Sequence, residues 1–464
     1  MIYVVKMKKI ATCSILIASL LLFPIMAASA VTPFANLEAE CAFLAEVDSG
    51  IELFGKNADK RHPADALARA VTLLLAVSAC ENDEVDMSGL VEMTESAMFD
   101  INSRSTTQHI SPGEEMTLLD LMYCAFIGSA NEACNLVAEF IAGSVSKFVA
   151  LMNEQVRAIG CEHTRFTNTH GQYSETQYTT AHDQFLIYRE AISHPLFLEI
   201  SGTYRYTTAE TNLSEPRRLT NPNSLLNSTS KYYYRHCVSG LTSETYEGGY
   251  SFVAYAESDD LKLISVVLGS DVIMFEDQSA LMRNLSESSR LLEWGFTSFK
   301  WRTILSVGDL VAKAPVVHGD GSDSVNLHPE APLKLLLDND IPDEEFVRSI
   351  TIYSEKSGEP LYAPVASGEV LGEITITRAG EKYGPIPLLA NTNIELHRFQ
   401  YIKAQILEVL SSKTSRTILA ILFILFLGYI ALVIRYNVLR RRRLRRIAEK
   451  KKRLIEESRK RPQD

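Results

Sequence analysis

The sequence predicts an α+β body, a small all-β domain after it, and one apolar helix near the C-terminus. Three observations carry this reading. From residue 37 to 300, helical periodicity is interleaved with short apolar strand runs. From 305 to 398 only short β-branched segments remain, separated by Gly, Pro and Asp turns. Residues 417–434 are apolar and uncharged, and Arg435 closes them. A chain of 464 residues has room for two or three domains, and 46% hydrophobic with 22% charged residues is a globular composition.

The elements follow in order. Residues 1–30 place Lys6, Lys8 and Lys9 before an apolar run and end in Ala28-Ser29-Ala30, the pattern of a cleaved secretory signal. The body is assigned to 31–300. Its start reads as a hairpin, 41–45 and 51–54 flanking Asp48-Ser49-Gly50. An apolar helix through Val71, Leu73, Leu74 and Leu75 follows, and 118–141 is helical with a break near Gly128. Strands are expected at 250–256 and 261–268, and a helix at 278–299 closes the body. Residues 301–400 form the β domain, with strands at 349–353 and 373–377. Residues 401–416 are a juxtamembrane linker. At helical rise, 417–434 reach about 27 Å, near the lower limit for a transmembrane span. Residues 435–464 are a basic tail.

Charge supports this layout. The tail holds fourteen Lys/Arg against four Asp/Glu, a net of +10. With +3 on residues 1–30 and −11 overall, residues 31–434 carry −24. An acidic body with a basic tail is no nucleic-acid pattern; it fits an exported domain with a cytoplasmic anchor. Seven scattered cysteines form no C-x-x-C pair and no metal-ligand spacing. Several lie in apolar runs, which favours buried free thiols over disulfides. No cofactor or metal is expected.

The chemistry-bearing stretches are three. Asn57–Ala76 reads NADKRHPADALARAVTLLLA; Phe126–Ala133 reads FIGSANEA; residues 236–256 read HCVSGLTSETYEGGYSFVAYA. Together they resemble the active-site motifs of the serine D-alanyl-D-alanine carboxypeptidases, peptidase family S11: Ser-x-x-Lys, Ser-x-Asn and Lys-Thr-Gly. CEHTRFTNTHG at 161–171, YTTAHD at 178–183, LTNPNSLL at 219–226 and ISVVLGS at 264–270 extend the resemblance to roughly 38–398. LYAPVASGEVLGEI at 361–374 resembles the family's C-terminal β domain. Ser228-x-x-Lys231, Ser324-x-Asn326 and Lys356-Ser357-Gly358 match the patterns in order but lack the surrounding context.

The resemblance implies a penicillin-binding/β-lactamase-like fold, a mostly antiparallel sheet covered by helices with the motifs at the sheet edge. It implies a substrate, the D-alanine end of peptidoglycan stem peptides, and a serine acyl-enzyme. The nucleophile position falls on Ala66, the base position on Arg69. A register slip of one residue gives Asp65 and Ala68, which also lack both groups. Alanine has no hydroxyl, and arginine stays protonated at any usable pH. Ser129 and Asn131 retain the second motif. In the third, lysine has become Val238, while Ser239 and Gly240 remain; Gly240 leaves room for a ligand backbone. The oxyanion hole falls on the N–H groups of Ala66 and Leu241.

The leading expectation is an inactive homologue on the outer face of the cytoplasmic membrane, binding stem peptides or a cell-wall protein. One alternative is an active carboxypeptidase with a substitute nucleophile, Ser129, Ser239 or Cys237. Strand alternation turns Cys237 away from the substrate groove that the resemblance implies, if Val238 faces that groove. The other is a structural adaptor.

Overall fold

In the computed structural model, which describes residues 37–275 and 280–459, the first strands form the expected hairpin, β1 (Cys41–Glu46) and β2 (Glu52–Lys56). The expected signal segment, 1–30, lies outside the described residues. After a 3-10 turn at Asp65–Leu67 comes α1 (Ala68–Glu81). Ten of its fourteen residues are buried, so α1 has no solvent face and lies at the centre of the helical layer.

The helical stretch after it is broken as expected, into α2 (Leu118–Phe126) and α3 (Asn131–Ala142). The chain continues with α4 (Val145–Ile159), α5 (Ala181–Ile192) and α6 (Pro195–Gly202). Thr117, Ser144 and Thr180 cap α2, α4 and α5 by accepting a hydrogen bond from the backbone N–H three residues on.

Three long strands follow, β3 (Cys237–Thr245), β4 (Gly249–Ser258) and β5 (Leu261–Ser270). The sheet order is β2-β1-β5-β4-β3, antiparallel throughout, with β3 at the edge. Both faces are covered, which explains why β1 is buried along its whole length. Phe43, Ala45, Val253 and Ile264 pack under α1 to α6, while Ala42, Leu44, Phe252 and Leu263 pack under α7 (Arg283–Ser298). At Gly295, α7 comes so close that a Cβ would lie 2.5 Å from the Leu263 side chain. The helix expected at 278–299 begins later, at Arg283, because Ala280–Met282 is taken up in a short strand paired with Val272–Met274.

The described chain divides into two compact units. The first runs to Arg302 and also takes Leu336–Ile341; the second comprises Thr303–Leu335 and the chain from Pro342 onward. The second unit holds a six-stranded sheet of β6 (Ala312–Val317), β7 (Ser324–Pro329), β8 (Val347–Ile352), β9 (Leu361–Tyr362), β10 (Val370–Arg378) and β11 (Glu381–Ala390), in the order β8-β10-β11-β7-β6-β9. Only the β6–β9 pair is parallel. The stretch read as a linker is helical, α8 (Arg398–Ser411), and after Ser412 one helix, α9 (Lys413–Arg459), carries both the apolar segment and the basic residues. Among the described residues α9 alone is by itself long and apolar enough to cross a membrane.

Candidate active site

The first motif lies where the 3-10 turn meets α1, against the end of the edge strand β3. Asp65 takes a positive φ of 43° and is 3% exposed. Two glycines make room for it: a Cβ on Gly171 would lie 1.9 Å from its carbonyl oxygen, and one on Gly248 would lie 1.9 Å from its Oδ2. The half-buried Ala66 donates its N–H to Ser243 Oγ at 3.0 Å.

Arg69 follows Ala66 by three residues and is 7% exposed. It turns into the second motif, its Nη2 donating to the Ser129 carbonyl at 3.1 Å and to Asn131 Oδ1 at 2.9 Å. Its Nε has no partner, and among the described residues no carboxylate lies within ion-pair distance. Burial lowers the guanidinium pKa, opposed by the neighbouring Cys134 and Glu132. Burial also pushes the Cys134 thiol up to about 12.

Ser129 adopts a positive φ of 55° in the turn between α2 and α3. Its carbonyl is taken by Arg69, and its hydroxyl makes no hydrogen bond among the described residues. Asn131 opens α3, is 4% exposed, and donates its N–H to the Thr106 carbonyl at 2.9 Å. One turn on, Asn135 Oδ1 accepts from Thr169 Oγ1 at 2.7 Å, and the Thr169 carbonyl accepts from Thr72 Oγ1 at 2.6 Å. These bonds tie α1, α3 and the segment ending in His170-Gly171 into one frame. The buried His170 Nε2 lies 3.0 Å from Asp100 Oδ2, and that hydrogen bond holds the Asp100 carboxyl below the usual range.

On β3 the third-motif residues serve internal contacts. Val238 sits at a bulge and packs against the helical core. Ser239 is fully buried, its Oγ 3.1 Å from Tyr188 Oη on α5. The room expected at Gly240 is already occupied: a Cβ there would meet Asn223 Nδ2 at 2.7 Å and the Val253 carbonyl at 2.8 Å. Leu241 is buried in the same core as Val253. Cys237 lies on the opposite face, its Sγ 3.7 Å from Asn223 Nδ2 and 3.5 Å from the Ser239 carbonyl, and burial pushes the thiol up to about 12. The other described cysteines are also free thiols.

Two residues at this junction, Ser243 and Thr245, escaped the sequence reading, and Asp65 entered it only as the nucleophile position of the slipped register. Two signals pointed to them. Asp65 directly precedes Ala66, and Ser243 follows Leu241 by two residues, hence on the same strand face.

The family described as D-alanyl-D-alanine carboxypeptidase, peptidase S11, matches residues 26–272, more than half of the chain. The chain belongs to this family. The C-terminal domain of penicillin-binding protein 5 matches residues 299–396. Among curated S11 relatives, the Escherichia coli K12 D-alanyl-D-alanine carboxypeptidase DacA is 30% identical over 76% of this chain and 83% of its own. Bacillus subtilis DacF, of the same description, is 26% identical over 77% and 86%. Penicillin binding protein 5 from Haemophilus influenzae superposes with a TM-score of 0.57 at 25% identity, over 79% of this chain and 99% of that one. Penicillin binding protein 6B from E. coli superposes at 0.58 with 21% identity, over 78% and 99%, a likeness of fold alone. The S11 chain thus has the penicillin-binding protein-like fold its motifs implied, and the curated relatives named are D-alanyl-D-alanine carboxypeptidases.

Proposed function

We propose that this S11 homologue forms no acyl-enzyme and acts as a binding module for cell-wall peptide or protein on the outer face of the cytoplasmic membrane. One observation carries the reading: a methyl group stands at Ala66, while the Arg69 guanidinium is committed to Ser129 and Asn131. Acylation needs a hydroxyl at the first position and a proton acceptor at the second.

The substitute nucleophiles lack support. Ser239 is buried against Tyr188, and Cys237 carries a protonated thiol on the far face of the sheet. Ser129 keeps a free hydroxyl, but the group beside it is a fixed cation rather than a base.

Val238 cannot replace a lysine at a ligand carboxylate. Loss of one charge-assisted hydrogen bond costs on the order of 1.5–3 kcal/mol, so D-Ala-D-Ala ends are held weakly. Calorimetry with a stem pentapeptide checks this; micromolar binding that survives Arg69→Ala speaks against it.

Intact-mass measurement after incubation with penicillin tests the central claim. The unmodified chain is expected to show no adduct, and an adduct would name the substitute nucleophile by its position. Ala66→Ser alone restores little, because the proton still has no acceptor. Adding Arg69→Lys permits slow acylation, and adding Val238→Lys accelerates it, since groups acting as a unit are non-additive.

A further inference from the structure

The donor that would face an acyl oxygen is already in use inside this chain. Ala66 N–H points at Ser243 Oγ, 3.0 Å away, and Ser243 is 2% exposed. Ser243 follows Leu241 by two residues on β3, so its hydroxyl reaches the same side of the strand.

A second tie holds the arrangement. Thr245 Oγ1 donates to Asp65 Oδ2 at 2.6 Å and accepts from the Gly248 N–H at 2.9 Å. The turn between β3 and β4 is thereby drawn onto the residue before Ala66. Gly248 lies so close to the Asp65 carboxylate that a Cβ there would overlap it. Gly171 lies as close to the Asp65 carbonyl oxygen.

We propose that Ser243 is an internal ligand of the oxyanion pocket, held in place by the Asp65–Thr245–Gly248 tie. This rests on the reading above that the Ala66 N–H belongs to that pocket. A carbonyl oxygen arriving there must displace a buried hydroxyl that already satisfies the donor, and it gains one hydrogen bond only by breaking another. Closure of the groove to acyl donors is then built twice, once at Ala66 and Arg69 and once at Ser243.

Two measurements on the full chain in detergent micelles test this. The first is amide hydrogen exchange at Ala66. Ser243→Ala removes the acceptor and is expected to speed exchange about tenfold, the equivalent of one net hydrogen bond. Ser243→Thr retains a hydroxyl and is expected to keep most of the protection. Unchanged exchange in Ser243→Ala overturns the proposal. The second is acylation by a fluorescent penicillin in the Ala66→Ser/Arg69→Lys/Val238→Lys background, with and without Ser243→Ala. Faster labelling with Ser243→Ala supports the internal ligand, and equal measurable rates overturn it. If neither protein is labelled, the restoration expected above has failed, and hydrogen exchange alone decides. Labelling of the unmodified chain would sink the functional reading, while exchange at Ala66 still reports on Ser243.

Discussion

Arg69, at the position proposed for the base, does structural work instead. A guanidinium offers a planar fork of donors, and here the fork closes on a backbone carbonyl and an amide oxygen in the neighbouring turn. Arg69→Ala leaves the buried Asn131 amide oxygen and the half-buried Ser129 carbonyl without their donor and opens a cavity, so a loss of about 2–4 kcal/mol is expected from the denaturant midpoint. A loss under about 0.5 kcal/mol, the size of an ordinary surface change, would contradict the buried-clamp role. The spacing of Ala66 and Arg69 was legible, because three residues on a helix share a face. The direction of the guanidinium was not, since it depends on acceptors more than fifty residues away. The contacts of Asp65 were not legible, because they depend on β3 and on two glycines distant in sequence. Burial raises its carboxyl pKa, opposed by the Thr245 hydrogen bond and His62, and seconded by Glu247. A carboxyl with a raised folded pKa contributes stability that is complete below its unfolded value, about 4, and is lost as pH rises through the folded value. Asp65→Asn removes this dependence. The melting temperature of the native chain is therefore expected to fall relative to Asp65→Asn as pH rises from about 4, and parallel curves would refute the assignment.

At the scale of elements, those around the motif residues were legible where composition alone decides them. The largely apolar helix α1, the break between α2 and α3 at Gly128, and the apolar strands β4 and β5 all appear where expected. Helix α8 was missed because its stretch is short and partly polar, although Phe399, Ile402, Ile406 and Val409 recur at helical spacing and stand exposed along it. The joint between α1, β3 and the His170-Gly171 segment depends on close backbone approach, which periodicity cannot reveal. Gly171 has a φ of +85°, where alanine is strained, and its added methyl would enter the Asp65 carbonyl. Gly171→Ala is expected to destabilise the body by more than about 2 kcal/mol, because strain and overlap act together. Gly113→Ala, with the same φ and open space around it, is the control and is expected to cost about 1 kcal/mol. Equal effects of the two would show that the Asp65 contact is not tight.

At the scale of the whole molecule, the unusual feature is α9. Its apolar side chains, among them Ile418, Phe423, Leu425 and Leu432, are exposed along the helix, a surface that water does not stabilise. Bilayer hydrocarbon would supply the missing environment, and a helix satisfies its own backbone there. The same helix then carries Arg440 to Arg443, Arg445, Arg446 and Lys450 to Arg453. Basic residues within about 15–20 positions of a span set its orientation, so this end is expected in the cytoplasm. The body, which carries the motif residues, is then expected outside, where the proposed binding module would meet wall peptides. Protease added to intact cells should therefore remove the body and leave a membrane-bound fragment containing α9 and the basic tail. An epitope placed after the basic cluster should stay protected until the membrane is permeabilised. Digestion of that epitope on intact cells, with the body spared, would reverse the orientation. Digestion of neither, with the protein fully extracted by high salt, would show that α9 does not span at all.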